Sequence, residues 1–322
     1  MFKKNNILYK VEGSKKRGMG HVFRSYYLIQ SLKKKYNIII FTEKKSESET
    51  FFKEKKFKVI TYNNLNEYKI FKKTLKNLKI NKFVNDYILI NQKIYNFLIK
   101  LKFNCYFLDT KKIKASEKIH CINTFIDTGQ KHKNYYAGVK YVIVDPNLKS
   151  KKKVKLNKKL KILLHFGGTD EKKLNIKIAN FLSSSTKIYS LDIILGPALV
   201  YNIKKVHEVI KKIKFRCKIY NYPKNLNKIY NNASIAIISG GNTLFNFCAL
   251  GKKNISISVT KLEMGSCKKM KKLDLTNYYG HFNYITKKKF IEFLDRVHNK
   301  RNDKIKFLKI NGIKEIAKIV NS

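Results

Sequence analysis

The stretch RGMGHVFR, residues 17–24, sets two glycines, a histidine and two arginines close together in a chain that has only 14 glycines. It falls between a β-branched and aromatic run (6–12) and an amphipathic one (20–35), so the pattern predicts a strand, a turn and a helix. Gly18 and Gly20 occupy the turn, where glycine permits a sharp bend and close backbone approach to a ligand. The N–H groups that open a helix favour an anion. His21 then stands at the helix N-terminus, whose dipole disfavours the imidazolium and helps keep the ring neutral and ready to accept a proton. That is the chemistry of a general base beside an anionic substrate. The alternative is a histidine that only caps or packs the turn. The dinucleotide fingerprint does not apply, because Phe23 stands where its third glycine belongs.

Two further stretches carry glycine pairs. HFGGTD (165–170) holds Gly167, Gly168 and Thr169, and SGGNTLFNFCALG (239–251) holds Gly240 and Gly241 before a helical run. Asn242 or Thr243 can cap that helix. Either stretch alone reads equally well as a structural turn. Together, exposed backbone N–H groups and a helix dipole suit the diphosphate of a nucleotide.

The elements that must position these loops alternate. Strands are predicted at 6–12, 36–43, 57–62, 82–90, 105–110 and 141–146, with lysine-rich helical stretches separating several of them. Residues 149–159 carry seven lysines and little apolar weight, which reads as a solvated linker. The alternation then restarts, with strands at 161–168, 191–196, 217–222, 235–241 and 254–260 between helical runs. The expected organisation is an α/β chain of two Rossmann-like domains facing a cleft. An N-terminal domain (1–148) bears the catalytic loop, a linker follows (149–160), and a nucleotide-binding domain (161–322) completes the chain. Open α/β sheets bind ligands beyond the carboxyl ends of their strands, where all three glycine loops fall.

Composition excludes other classes. The formal charge of +50 suggests nucleic acid, yet only five of the 71 basic residues are arginine, and the lysines are spread along the whole chain. A protein that reads bases or clamps phosphates would favour arginine, so no nucleic-acid partner is expected. A surface this basic can still touch anionic lipid peripherally. The five cysteines form no CxxC pair, which argues against disulfides or zinc and for a reducing compartment. The N-terminus has no long apolar stretch and no run approaches a membrane span, so a cytoplasmic location is expected. No carboxylate or histidine cluster has ligand spacing, and neither a metal nor another cofactor is expected.

GMGHVFRSYYLIQSL, HFGGTD and ISGGNTLFNFCALG, in that order, resemble the UDP-sugar hydrolases of pseudaminic acid biosynthesis, the PseG family. That family has the two-domain fold of GT-B glycosyltransferases and is similar to the MurG-type enzymes. Its pattern of an acidic residue and glycine, then Ile-Gly-x-Gly-His-x-x-Arg, matches Glu12, Gly13, Gly18, Gly20, His21 and Arg24, with Arg17 at the isoleucine. Its Val-Asp-x-Tyr loop matches residues 85–89, with Asn85 at the aspartate and Tyr87 kept, and its Gly-Pro-x-Tyr segment matches AGVKY (137–141). The resemblance implies hydrolysis of a UDP-activated 2,4-diacetamido-2,4,6-trideoxy sugar with inversion. His21 would activate water and Tyr87 would orient it or a substrate acetamido group. Glu12, Gly18, Gly20 and Arg24 would face substrate, with loop support the favoured reading for Arg24. The nucleotide would lie against Gly167, Gly168, Thr169, Gly240, Gly241, Asn242, Thr243 and Asn246. The chain departs from this pattern at Asn246, where GT-B sites carry a glutamate for the ribose, and at KLEMG (261–265), where the family has an Asn-Gln pair. Three readings therefore stand: the hydrolase, a glycosyltransferase in which His21 deprotonates an acceptor hydroxyl, and a non-catalytic sugar-nucleotide-binding homologue.

Overall fold

The computed structural model describes residues 4–124, 128–149, 160–183, 185, 187–223, 225–300, 308 and 311–322. It divides into two compact units, the first running to Val144 and the second beginning at Asp145. Both are parallel sheets interleaved with helices, which is the two-domain Rossmann-like architecture of GT-B type.

The first unit runs β1 (Asn5–Val11), α1 (Gly20–Leu32), β2 (Tyr36–Glu43), α2 (Glu47–Glu54), β3 (Lys58–Tyr62), α3 (Glu67–Asn77), β4 (Ile80–Asp86) and α4 (Gln92–Leu98). Three short strands follow, β5 (Cys105–Leu108), β6 (Ile119–Asn123) and β7 (Tyr135–Ala137). The sheet order is β3-β2-β1-β4-β5-β6-β7, so the order reverses between β1 and β4. Those strands pair in parallel register, with Val11 beside Asp86. Helix α1 buries Val22, Arg24, Ser25, Leu28, Ile29 and Leu32. That i, i+3, i+4 stripe turns two polar side chains inward near its start. At Gly13 a Cβ would lie 2.4 Å from the Val22 side chain, so only glycine lets the β1–α1 connection pack this closely.

The second unit runs β8 (Leu160–His165), α5 (Leu174–Leu182), β9 (Ile188–Leu195), α6 (Lys204–Lys211), β10 (Arg216–Asn221), α7 (Leu226–Asn232), β11 (Ile235–Ser239), α8 (Asn242–Leu250), β12 (Asn254–Ser258), α9 (Lys261–Lys272), β13 (Asn277–His281) and α10 (Lys287–Asn299). Its order, β10-β9-β8-β11-β12-β13, reverses between β8 and β11. Each unit builds its own apolar core around the sheet, from residues such as Leu8, Phe41 and Phe83 in the first and Leu164, Ile237 and Ile257 in the second. Burying such a side chain contributes about 1.5–3 kcal/mol.

The structure departs from the sequence reading in several places. Residues 141–146 form no strand: Val142 and Ile143 are buried outside the sheet, after a 3-10 turn at Val139–Tyr141. The strand expected over 82–90 stops at Asp86, and Tyr87 opens a loop. The terminal helix α11 (Gly312–Asn321) belongs to the first unit, not to the second domain drawn from 161 to 322. Its apolar stripe of Ile316, Ala317 and Val320 needs a partner surface. It finds one where the Val320 carbonyl accepts hydrogen bonds from Lys82 Nζ at 2.6 Å and from the Tyr36 and Tyr106 hydroxyls at 3.4 Å. Gly312 allows the approach, since a Cβ there would sit 2.0 Å from the Val142 carbonyl oxygen. Residues 150–159 of the lysine-rich linker lie outside the described residues. Among the described residues no helix is long and apolar enough to cross a membrane.

Candidate functional site

In each unit the predicted residues gather where the strand order reverses, the crevice in which open α/β sheets take their ligands. The two places differ in chemistry.

In the first unit, β1 leads through Glu12 into the turn Ser14–Gly18, closed by Gly18 N donating to Ser14 O at 2.7 Å. Gly18 has φ +80°, a left-handed conformation suited to glycine. Helix α1 starts at Gly20, its N-cap Met19 makes no side-chain cap bond, and His21 lies in the first turn. Its Nδ1 stands 3.2 Å from Asp86 Oδ1, and 18% of its side chain is exposed. The Tyr87 ring meets the imidazole edge-on, with centroids 5.5 Å apart.

Asp86 is fully buried and well supplied with donors. Arg24 Nε donates to it at 2.8 Å, Arg24 Nη2 closer still, Ser25 Oγ at 2.6 Å and the Tyr9 hydroxyl at 3.3 Å. Burial would raise the Asp86 pKa, but the Arg24 guanidinium and then His21 outweigh it and hold the carboxyl at about 2. Asp86 is therefore an anion at any ordinary pH. Because the Asp86 carboxylate can only accept, the neutral tautomer that fits this contact carries its proton on Nδ1 and its lone pair on Nε2.

Arg24 does not face outward. It is 5% exposed, and its Nη1 donates to Asp109 at 2.6 Å while the other nitrogens hold Asp86. The inward stripe of α1 carries Arg24 under His21, where it holds Asp86 and Asp109 and so supports the loop. Asp109 takes a left-handed backbone (φ +50°) and is held by Thr124, whose N–H and hydroxyl donate at 2.6 and 2.7 Å. Glu12 is likewise turned inward. It is 7% exposed and paired with Lys10 and Arg17.

Sequence reasoning missed Asp86 and Asp109. The resembling pattern sets its aspartate at Asn85, whereas the acid that meets His21 is Asp86. Successive strand residues point to opposite faces, and Asn85 donates instead to the Tyr87 carbonyl (2.9 Å) and Thr110 (2.8 Å). The usable signal was an acid at the carboxyl end of two apolar runs, FVND and FLDT.

In the second unit, Ile238 of β11 is in register with His165 of β8, which sets the two glycine loops side by side. A Cβ on Gly167, whose φ is +77°, would come within 3.6 Å of Ser239 Oγ. The Gly168 and Thr169 carbonyls accept from Ala198 N at 3.0 Å and Val200 N at 3.2 Å. Gly196 completes this packing, since its Cβ would lie 2.4 Å from the Gly167 carbonyl oxygen. Asp170 accepts from Leu174 N (2.7 Å) and Asn175 N (3.0 Å) and so caps α5. Burial raises its pKa to about 6.

Helix α8 begins at Asn242 with Gly241 as N-cap, no side-chain cap bond and no acidic residue in its first turn. The expected cap from Asn242 or Thr243 is not formed, because both already lie within the first turn. Across from it, a Cβ on Gly240 would fall 2.6 Å from Cys267 Sγ and 2.9 Å from Glu263 Cβ. Glu263, in the KLEMG segment, accepts from Val259 N at 2.7 Å, and burial lifts its pKa to about 6. Asn246 is partly buried, and its Oδ1 accepts from Asp145 N at 3.2 Å.

The comparisons with known proteins agree on fold. No family model matches the chain. An uncharacterised protein of Methanocaldococcus jannaschii is 27% identical over 260 residues, which is 74% of this chain and 53% of that one, so the chain spans about half the length of this relative. Among solved structures, MurG of Acinetobacter baumannii superposes with a TM-score of 0.72 at 12% identity, covering 98% of this chain and 99% of its own. The spinosyn rhamnosyltransferase SpnG complexed with thymidine diphosphate gives 0.62 at 8% identity, covering 98% and 96%. WaaG, a glycosyltransferase involved in lipopolysaccharide biosynthesis, gives 0.59 at 8% identity, covering 97% and 95%. At such identities the likeness is one of fold.

Proposed function

We propose that the chain is a glycosyl-transferring enzyme that takes a nucleotide-diphosphate sugar as donor and uses His21 as the base that activates the nucleophile. The observation that carries this reading is the His21–Asp86 pair at 3.2 Å at the first strand-order reversal. Asp86 fixes the tautomer, and Nε2 takes the proton from an incoming O–H. The oxygen attacks the anomeric carbon from the face opposite the nucleotide, and the bond to the diphosphate breaks with inversion. Asp86 then stabilises the imidazolium. A positioned base of this kind contributes typically ~10²–10⁴-fold.

The diphosphate is a good leaving group and needs its growing charge stabilised more than it needs a proton. The backbone around Gly167–Thr169 and the uncapped start of α8 at Gly241 suit that task. The fold shared with MurG, WaaG and SpnG, the last of these complexed with thymidine diphosphate, supports a nucleotide-sugar donor and an acceptor hydroxyl as nucleophile.

A second reading makes water the nucleophile. It is favoured by Gly18, Gly20, His21 and Tyr87, which resemble the loops of the UDP-sugar hydrolases. One experiment separates the two. Wild-type protein is incubated with a panel of UDP- and dTDP-sugars, with and without acceptor saccharides, and free nucleotide is measured. Release that requires acceptor supports transfer. Release without it, above all from a UDP-2,4-diacetamido-2,4,6-trideoxy sugar, supports hydrolysis. Silence with every donor and acceptor overturns both.

A further inference from the structure

Arg17 has no part in the chemistry above, and it replaces the isoleucine of the resembling pattern. Its backbone is fixed by the turn, where Arg17 N donates to Ser14 Oγ at 3.1 Å. Its guanidinium bridges two strand ends, meeting Glu12 after β1 at 3.0 Å and Glu43 of β2 more closely. It also lies 5.8 Å from the centroid of the Tyr87 ring, the same ring that meets His21 edge-on at 5.5 Å. Beneath it, Lys10 is 2% exposed, pairs with Glu12 and with Glu67 (3.2 Å), and accompanies the Tyr62 hydroxyl at 2.9 Å. The Lys10 ammonium is 5.9 Å from the Tyr87 centroid.

Taken as a stability device, this arrangement is poorly chosen. Exposed ion pairs contribute little, and burying Lys10 with two acids incurs a desolvation penalty that apolar residues would avoid. Its geometry has a different logic. The ladder Glu67, Lys10, Glu12, Arg17 and Glu43 crosses the carboxyl ends of adjacent strands and ends on one ring. We propose that Arg17 is a positioning residue that clamps Tyr87 against His21, with the buried ladder fixing the clamp. A planar guanidinium can hold two carboxylates and lie over an aromatic face together, which an ammonium cannot do as well. The catalytic consequence rests on the function proposed above; the clamp itself does not.

The test uses Arg17→Gln and Arg17→Lys with whichever nucleotide sugar the wild type turns over. Misplacement by about an ångström costs up to roughly a hundredfold, so kcat should fall about tenfold to a hundredfold while the donor KM stays within about twofold. Arg17→Lys should restore only part of the rate. A raised donor KM at unchanged kcat would mean that Arg17 binds substrate, and unchanged kinetics would mean that there is no clamp. A second measurement needs no turnover. The chain has no tryptophan, so Tyr87→Trp creates a sole indole under the guanidinium, and adding Arg17→Gln should change its emission. Identical spectra in the two proteins overturn the clamp. If wild type turns over no nucleotide sugar, the proposed function falls and the emission pair still decides this inference.

Discussion

The two units share one wiring and use it differently. Both sheets reverse strand order between their first and fourth strands, and both place glycine-bearing loops there. At the first reversal the loop is surrounded by ionic side chains: Asp86, Asp109 and Arg24 below, Glu12, Lys10 and Arg17 beside. At the second, the glycine loops present mainly backbone, close-packed on Gly196 and on the start of α9. Side-chain charge can hold a proton at a chosen atom, whereas backbone dipoles hold an anion without titrating. Under the proposed function, proton transfer falls to the first unit and the diphosphate to the second, and variants can break that division of labour.

The largest effect should come from His21→Ala. Turnover should drop by ~10²–10⁴-fold while calorimetry finds nucleotide-sugar affinity little changed. Equal loss of affinity would mean that the first unit also binds the nucleotide. Asp86→Ala should follow, because Arg24 would be left buried with its main partner gone. Breaking such a pair costs about 3–5 kcal/mol, visible as a lower urea midpoint, together with loss of turnover. Gly240→Ala should act in reverse order: its Cβ meets Cys267 and Glu263. Overpacking costs about 1–3 kcal/mol, and nucleotide affinity should fall more than the rate at saturating donor.

Acid should weaken both units. His165 is buried against the Tyr230 hydroxyl at 2.8 Å, and burial lowers its pKa to about 4. Unfolding frees it to titrate near ~6.5, so the unfolded chain takes up the proton first. Stability is then present above pH ~6.5 and is lost as pH falls toward ~4. Burial, then Lys82, does the same to His120 in the first unit, also to about 4. Asp86 adds a later loss, between ~3.9 and ~2. Urea midpoints of wild type and His165→Gln at pH 7.5 and 5 check this, and an equal drop in both would remove His165 from the account. The smallest effect belongs to Asn246→Ala, which takes away the acceptor for Asp145 N–H and should cost about 0.5–1.5 kcal/mol. If UDP affinity falls instead, Asn246 faces the nucleotide after all.

Much of this was legible from local pattern. Runs of apolar residues with β-branched enrichment located β1, β2, β3, β8 and β11, and turn glycines marked the loops. The short strands β6 and β7 went unseen, because five and three residues give too few alternations to rise above a lysine-rich background. Residues 141–146 look like a strand by composition, yet Val142 and Ile143 are buried outside the sheet beside α11, a contact between residues far apart in the chain.

By itself the sequence determined that the chain alternates strand and helix in two rounds, that three glycine loops follow strands, and that a histidine opens the first helix. These follow from periodicity and from the backbone freedom of glycine, which are properties of neighbouring residues. Only the tertiary structure decided which acid serves His21. Alternation says that Asn85 and Asp86 face opposite ways but not which way α1 lies, and the helix that brings Arg24 and Ser25 to Asp86 comes from some 60 residues earlier. The same holds for Arg24, turned inward by the packing of its helix, and for α11, returned to the first unit by the apolar stripe it must cover. Pairing across such distances is fixed by packing and desolvation of the whole sheet, and no local spacing encodes it.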